Sequence, residues 1–398
     1  VVFRIFYNVK AHLYFLILQK IRVLNKNAIL TFVSFFLLLN FNIGQDNTEA
    51  IEYFNKGISF FKDKDYNQAV IEYTKAINKN PDYLKAYYNR GNAKLNLKNY
   101  EGAVLDFERA IVIDRDFSKA YLYKGFAEMK LDKDKEAISS FTEAIAKDNT
   151  LTKAYVNRAT VLIRNDNYEQ AVEDLNTAIK LGEANYAVFY NRAICRDRME
   201  RYHDAIEDYS AALNYKPNGP QIYMARAKSF IKLEKYEEAI QDLTKAISYI
   251  QSGEAFFLRG YCKINTGDLS GAYLDMNQAL EIDPTMEAAK INKAIVSFRM
   301  ENYANAIRDY TDLIVIDAKN TEYHVNRGIS YLKLKEYQKA IDDFDFATKL
   351  DDSIAEAYFN RANAYSNIDM YDKACKDMRE AAKKGYEPAF GHIKNLCD

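Results

Sequence analysis

The chain has 398 residues and a formal net charge of −1, and because residues 1–44 carry five basic and no acidic side chains, the remainder has a net charge of −6. This mild acidity argues against nucleic acid as a general partner, since binding a phosphate backbone needs clustered positive charge. With 14 glycines, 5 prolines and 48% hydrophobic residues, the composition argues against a disordered or collagen-like chain and favours continuous helix.

The first 44 residues predict a targeting segment. Basic residues precede an apolar run, Ala28–Phe41, which is followed by the small Gly44 and the polar Gln45. This order is typical of a secretory signal peptide, and a run of 14 residues is short for a bilayer span of about 20. The sequence therefore predicts a cleaved signal peptide and an exported, periplasmic or cell-surface protein. The alternatives are a membrane anchor formed by residues 28–43, which would be the only membrane contact, and a buried cap helix.

From about residue 50 the chain repeats a unit of 34 residues, and a clear copy is Leu84–Phe117. Counting positions from Leu84, position 8 is glycine or alanine and position 20 is alanine in all ten copies, with one single-residue deletion near Gln251. Each copy has two stretches with residues at helical spacing, separated by a polar break such as Lys98-Asn99. The pattern predicts two antiparallel helices that approach closely at the small residues. Because one hairpin cannot bury both its faces, it also predicts a tandem stack of hairpins.

Further positions complete a family pattern. Position 24 is aromatic in six copies and proline occurs near position 32 in three: Tyr73, Phe107, Phe141, Tyr209, Tyr310 and Phe344, then Pro81, Pro217 and Pro284. The chain thereby resembles the tetratricopeptide repeat family from about Ala50 to Pro388, although tyrosine or phenylalanine mostly replaces the usual tryptophan at position 4 and the eighth copy departs with Lys290 and Leu313. The resemblance implies an all-α fold, a right-handed superhelical α-solenoid of antiparallel helix hairpins. The expected domains are a leader (1–44), ten repeats (50–388) and a C-terminal capping helix (389–398).

The C-terminal residues predict how the array is capped. Four inward-facing apolar residues are expected on the last helix: Tyr386, Phe390, Ile393 and Leu396. Cys375 and Cys397 lie about ten residues before and about twelve after Gly385, so a helix that folds back antiparallel would bring the two sulfurs together. We expect a disulfide between them if the protein is exported, because disulfides persist in oxidising compartments.

The sequence contains no recognisable catalytic constellation. The four histidines lie at unrelated positions of the repeat, and there is no glycine-rich phosphate loop, nucleophile elbow or Cys-x-x-Cys pair. Cys195 and Cys262 both fall at position 10 of a first helix and are expected to be small buried side chains. We therefore predict no enzyme activity, cofactor, metal site or small-molecule substrate.

Charged residues at positions 7 and 23 predict an ion pair within most hairpins. Position 7 is lysine or arginine in every copy and position 23 is acidic in nine, the exception being Lys124 opposite Ser140 in the third copy. If position 8 packs against position 20, positions 7 and 23 lie side by side. We expect these pairs to be exposed and worth about 0.2–1 kcal/mol each, so that they specify register more than they supply stability.

The family resemblance implies that the first helices line a concave groove, with positions 2, 5, 6, 9, 12 and 13 facing it. Position 6 is asparagine in seven copies: Asn55, Asn89, Asn157, Asn191, Asn292, Asn326 and Asn360. A carboxamide both donates and accepts hydrogen bonds, so such a row can hold a peptide backbone. The alternative is that asparagine merely suits a solvated helix face, although it is a poor helix former. Because Tyr123, Ala225 and Leu258 interrupt the row, we expect two runs, Asn157 with Asn191, and Asn292 to Asn360.

Charge along position 2 changes sign from the early to the late copies. Lysine occupies it first and glutamate later: Lys85, Lys119 and Lys153, then Glu254, Glu322 and Glu356. A ligand with its acidic end toward the early repeats would be complementary. Ordinary surface charge is the alternative.

The sequence predicts a non-enzymatic scaffold that binds an extended peptide or a protein partner in the concave groove. The alternative is an accessory or regulatory subunit of an envelope complex that docks through its convex face. The repeats specify the architecture and leave partner choice to scattered groove residues.

Overall fold

The computed structural model describes residues 47–397, and every regular element in that range is an α-helix. The first hairpin pairs the helix 47–62 with Tyr66–Lys79. The other nine hairpins are Leu84–Asn96 with Tyr100–Ile113, Ser118–Lys130 with Asp134–Lys147, Thr152–Arg164 with Tyr168–Lys180, Tyr186–Arg198 with Tyr202–Tyr215, Pro220–Lys232 with Tyr236–Tyr249, Gly253–Thr266 with Leu269–Ile282, Glu287–Arg299 with Tyr303–Ile316, Thr321–Lys333 with Tyr337–Leu350, and Ala355–Ser366 with Tyr371–Lys383. The last helix is Glu387–Cys397. The predicted all-α class and tandem hairpins are confirmed, whereas the predicted leader, residues 1–44, lies outside the described residues.

The chain divides into two compact units after Glu183. The described part of the first unit contains four hairpins, and the second contains six hairpins and the last helix. Within each unit, every hairpin packs against the next along the chain. A continuous core within each unit follows from this stacking, as expected for repeats that cannot bury both faces alone.

The polar break predicted inside each repeat is a tight turn with a left-handed residue at position 15. Nine repeats use a non-glycine residue there with φ between 55° and 63°, and the seventh uses Gly267. Where the next residue is Asp65, Asn99 or Asp268, its side chain accepts a hydrogen bond from a backbone N–H of the following helix. The turn therefore ends one helix and caps the next within a few residues.

Glycine at position 8 makes room for phenylalanine at position 24. A Cβ added to Gly91 would lie 2.8 Å from Cε1 of the fully buried Phe107, and the same holds at Gly328 against Phe344. All three phenylalanines at position 24 face glycine, whereas Leu175 shares its repeat with Ala159. The ring takes the volume that a Cβ would occupy, so the two positions form one packing unit.

We expect Gly91→Val to lower the free energy of unfolding by about 2 kcal/mol, because the new side chain overpacks against Phe107. Phe107→Ala opens a cavity and should cost about 3 kcal/mol. In the double variant each change relieves the other, so a double-mutant cycle from urea unfolding should show a favourable coupling of at least about 1 kcal/mol. Strict additivity of the two losses would contradict this packing.

Buried ion pairs join the two helices of a hairpin. Arg90 donates from Nη2 to Oδ1 of Asp106 at 2.6 Å and from Nε to Oδ2 at 3.0 Å. Equivalent pairs are Arg158–Asp174, Arg192–Asp208, Arg226–Asp242, Arg259–Asp275, Lys293–Asp309, Arg327–Asp343 and Arg361–Asp377. The predicted pairing is confirmed in these eight repeats, but not in the first, where Glu72 pairs with Lys75 of its own helix at 2.6 Å. The expectation that the pairs are exposed is wrong. The Asp106 side chain is 3% exposed, because the arginine stem and the packed helices cover it.

The same arginines also connect neighbouring hairpins. The Nη1 of Arg90 donates to Thr74 Oγ1 of the preceding repeat, and Arg226 donates to Ser210 Oγ at 2.7 Å. In the third repeat the acidic group comes from position 11 instead, since Ser140 Oγ donates to Glu128 Oε2 at 2.6 Å. One guanidinium therefore contacts three helices. A lysine is less suited to this role because its ammonium lacks the planar, forked arrangement of N–H donors.

The last helix begins at Glu387 and packs against the tenth hairpin. Tyr386, Ile393 and Leu396 pack against its core as predicted, but the prediction for Phe390 is wrong, since its side chain is 59% exposed. Ala389 is fully buried in its place. The helix approaches the hairpin through this small residue, which turns the neighbouring Phe390 to solvent.

Cysteines occupy two different environments. Cys375 and Cys397 are joined by a disulfide with a Cα–Cα distance of 5.2 Å, which links the last helix to the tenth hairpin. Its formation in the cell stays a prediction that depends on export. Cys195 and Cys262 are free and fully buried, as predicted, and burial raises the pKa of each thiol to about 12.

Candidate functional site

The predicted groove residues lie on the first helices of the hairpins. Positions 2 and 6 are one helical turn apart and therefore share a face. The position-2 lysines Lys85, Lys119 and Lys153 are exposed. Six of the seven asparagines are half-buried, and Asn55 is exposed. This face is therefore accessible, but the asparagine side chains are partly enclosed by their neighbours.

A cavity of about 320 Å³ lies between the first helices of the third and fourth repeats. Its lining residues are Leu122, Tyr123, Phe126, Lys153, Val156, Asn157 and Glu183. Six of these are the residues at positions 5, 6 and 9 of the third repeat and 2, 5 and 6 of the fourth. The structure thus brings two predicted residues, Lys153 and Asn157, to one apolar cavity. We call it the first cavity.

The first cavity combines apolar walls with a few polar groups. Leu122, Phe126 and Val156 supply the apolar surface. Within residues 47–397, the Asn157 carboxamide has no hydrogen-bond partner, so its N–H and C=O groups are open to a ligand. Lys153 adds an exposed ammonium. This arrangement can hold an apolar side chain while the amide hydrogen-bonds the adjoining backbone.

A second cavity, of about 570 Å³, lies between the first helices of the fifth and sixth repeats. Its lining residues include Tyr190, Ile194, Asp197, Arg198, Gln221, Met224, Ala225, Lys228 and Lys232. Arg198 and Lys232 occupy position 13, which is also basic in the third and fourth repeats, at Lys130 and Arg164. Lys228 is held 2.7 Å from Glu254, and both side chains are about half exposed. The wall is therefore basic around one acidic group, Asp197.

Asp197 connects three helices beneath the second cavity. Its two oxygens accept hydrogen bonds from Tyr209 Oη and Ser229 Oγ, both at 2.7 Å. Burial raises the pKa of the Asp197 carboxyl above its usual range, and the two hydrogen bonds oppose that rise. Burial also raises the pKa of Tyr209, so the phenol remains a donor at neutral pH. The carboxylate thereby joins the fifth and sixth repeats.

We expect Asp197→Asn to gain stability relative to the parent as the pH rises from about 3 to about 7. Because the folded-state pKa of Asp197 is raised, its contribution to the free energy of unfolding is fully present below the unfolded-state pKa and is lost as the pH rises through the folded-state pKa. Asparagine does not titrate and so avoids this loss. Urea unfolding at both pH values, with exposed Asp352→Asn as the control, measures the difference. A difference between Asp197→Asn and the parent that does not change with pH would contradict it.

The structure distributes the predicted residues unevenly. Of the predicted asparagines and lysines, Lys153 and Asn157 line the first cavity, and the following lie outside both cavities: Asn89, Asn191, Asn292, Asn326, Asn360, Lys85 and Lys119. Asn292 and Asn360 donate to carbonyl oxygens of their own helices, at 2.9 and 3.0 Å. Their N–H groups therefore have local partners, and peptide binding along these runs stays a prediction.

Sequence reasoning missed the apolar walls and the half-buried Asp197. Two interruptions of the asparagine row, Tyr123 and Ala225, lie in the walls of the first and second cavities respectively. Each replaces a polar amide by a ring or a methyl group, which favours an apolar ligand group at that point. The interruptions were therefore the available signal for the cavities.

The described part of the chain contains neither a membrane-spanning helix nor a metal-binding cluster. No helix between residues 47 and 397 combines the length and the apolar character that a bilayer crossing requires. The same residues contain no group of three or more side chains placed to hold a metal ion.

Profiles of one protein family match several stretches of this chain. Family profiles described as tetratricopeptide repeat match residues 84–117, 156–221, 190–254, 253–286 and 355–383, and one described as TPR repeat matches residues 57–98. No curated protein sequence matches the chain.

Solved structures of repeat proteins are similar to this chain. The C-terminal part of a TPR repeat-containing protein from Cytophaga hutchinsonii has 22% identity and a TM-score of 0.52, covering 60% of this chain and 98% of its own. A tetratricopeptide repeat protein from Parabacteroides merdae has 20% identity and a TM-score of 0.42, with coverages of 62% and 99%. Pseudomonas aeruginosa pilF has 21% identity and a TM-score of 0.44, with coverages of 53% and 96%. The Cytophaga structure supports the solenoid fold.

Proposed function

Because this chain belongs to the tetratricopeptide repeat family, a family of protein-interaction scaffolds, we propose that it binds an extended peptide segment of a partner protein along its first helices. The observation that carries this proposal is the first cavity, whose apolar walls and open Asn157 amide suit a side chain and its backbone. An apolar residue of the peptide enters the cavity, and Asn157 hydrogen-bonds the backbone beside it.

Charge around the first cavity favours a peptide with acidic residues. Lys85, Lys119 and Lys153 are exposed at equivalent positions of three successive repeats. Exposed lysines steer an acidic ligand and set its direction more than they add affinity. The expected ligand therefore carries an apolar anchor next to acidic residues.

Selection of peptides from a random phage-displayed library, followed by affinity measurement, tests the proposal. Asn157→Ala should weaken binding of the selected peptides by about two- to ten-fold, the loss of one hydrogen bond. Asn292→Ala is the matched control, because its amide N–H already donates to Ala288 O of its own helix. Equal affinity of the parent and Asn157→Ala, with helicity unchanged, would remove Asn157 from the site.

We propose further that the protein is exported and that its leader is removed. The support is the order of basic residues, apolar run and Gly44 at the start of the chain. Mass spectrometry of the protein purified from its native cells should give a species that begins near Gln45. A native species that retains residues 28–43 would favour the membrane anchor instead.

A further inference from the structure

An aromatic ring covers the cation at position 7 in most repeats. The guanidinium of Arg90 lies 5.5 Å from the ring centroid of Tyr87 at position 4, and that of Arg361 lies 5.0 Å from Tyr358. The other pairs are Lys56 over Tyr53, Arg158 over Tyr155, Arg192 over Phe189, Arg226 over Tyr223 and Arg259 over Phe256. In six of these seven repeats the cation is the arginine of the buried ion pair, so the ring packs beside that pair at the seam, by which we mean the junction between one hairpin and the preceding one.

The eighth repeat lacks this ring. Position 4 is Lys290 and position 7 is Lys293, whose ammonium lies 3.2 Å from Oδ1 of Asp309. The ammonium contacts the ring of Tyr273 in the preceding repeat at 5.7 Å. Within the described residues it makes no hydrogen bond to Asn277, which occupies the position of Thr74 and Ser210 in their repeats. Fewer hydrogen bonds therefore join the two hairpins at this seam, because the lysine ammonium does not donate to the aspartate and to the preceding repeat at once as a guanidinium does.

Two cavities open at this seam, with volumes of about 470 and about 330 Å³. Leu280 and Lys293 line both of them. Lys290, Pro284, Asp309 and Asp312 complete the lining of the smaller, and Leu274, which is 64% exposed, lines the larger with Asn277, Gln278 and Glu281. All these residues lie between the second helix of the seventh repeat and the eighth hairpin, away from the groove residues described above. We name the site the notch and define it by Leu280, Lys290 and Lys293.

We propose that the notch binds the aromatic ring of a phenylalanine or tyrosine side chain from a protein partner. The chain itself shows what fits, because seven repeats place a ring from Phe or Tyr over the cation at this point. The Lys293 ammonium is complementary to the negative face of such a ring, and Leu280 and Pro284 provide apolar surface beside it. The partner ring takes the place of the position-4 ring that the eighth repeat lacks, in addition to the Tyr273 ring that the Lys293 ammonium contacts from the preceding repeat.

Saturation-transfer NMR with N-acetyl-tyrosine amide as the probe tests this site in the full chain. The parent protein should transfer saturation to the ring protons of the probe. Lys290→Tyr supplies the ring from within, so it should abolish most of that transfer and raise the melting temperature by about 2 °C. Lys319→Tyr, which adds the same ring at an exposed turn, is the matched control and should leave the transfer unchanged.

A second probe separates ring chemistry from shape. N-acetyl-cyclohexylalanine amide has a similar outline but no π face, and it should bind about two- to five-fold more weakly. Equal signals from the parent and Lys290→Tyr, or no signal from the parent at millimolar probe, would overturn the proposal. A signal that appears only after residues 1–46 are deleted would indicate that the chain's own N-terminal segment occupies the notch. That result would also overturn the proposal of a ring from a protein partner.

Discussion

Replacing Arg226 by methionine is expected to lower the stability of the sixth repeat by about 3 kcal/mol. Arg226 donates to both oxygens of Asp242, at 2.7 and 2.8 Å, and to Ser210 Oγ of the preceding repeat. Methionine keeps most of the apolar stem but leaves the Asp242 carboxylate, which is 5% exposed, without its partner. An uncompensated buried charge costs far more than the loss of a surface pair.

Hydrogen exchange measured by mass spectrometry would locate this loss. Faster exchange should be concentrated in the sixth repeat and its immediate neighbours, because repeats contact only adjacent repeats. Lys235→Met removes an exposed positive charge from the same repeat and should change exchange little. If both variants behave alike, the buried ion pairs would contribute no more to stability than surface charges do.

Removing the disulfide between Cys375 and Cys397 is expected to destabilise the last hairpin and its capping helix by about 3 kcal/mol, provided that it forms in the cell. The two cysteines are 22 residues apart. A disulfide that closes a loop of this length lowers the conformational entropy of the unfolded chain, and its removal therefore lowers the free energy of unfolding by about 3 kcal/mol. Without the cross-link, the cap is held by the packing of Ala389, Ile393 and Leu396 and by aromatic contacts. Phe359 meets Tyr386 at 5.0 Å and His392 at 5.6 Å between ring centroids.

A variant with serine at both positions allows a direct comparison with the oxidised and the reduced parent. Exchange over residues 371–397 should speed up in the serine variant and on treatment of the parent with dithiothreitol. The reductant should have no further effect on the serine variant, because its remaining cysteines, Cys195 and Cys262, are free thiols and leave no disulfide to reduce. Identical exchange in the oxidised and reduced parent would show that the cap holds without the cross-link.

Departures from the repeat coincide with cavities. Tyr123 interrupts the asparagine row at the first cavity, and Ala225 does so at the second. Lys290 replaces a ring at the notch. The regular positions maintain the solenoid, so a position that departs from them is free to acquire a binding role. In this chain the irregular positions are therefore the first ones to mutate.

The sequence by itself determined the hairpin, its period and its internal partners. Ala103 and Gly91 recur with helical spacing, and Arg90 and Asp106 recur sixteen residues apart in the same hairpin. Such relations are local to one hairpin. The lengths of its two helices and of the turn between them fix which positions of the first helix face which positions of the second. Local rules therefore predicted the stacked helix hairpins and the ion pairs, and the family resemblance added the solenoid fold.

Only the tertiary structure decided how deeply these groups are buried and where the surface opens. Asp106 is 2% exposed, and the Arg90 that pairs with it also donates to Thr74 of the preceding repeat. Ala389 instead of Phe390 faces the last hairpin. The cavity that joins Asn157 to Phe126 needs side chains from two separate hairpins. Burial and cavity shape depend on how side chains from different repeats interdigitate, and this packing is not encoded in the periodicity of any one repeat.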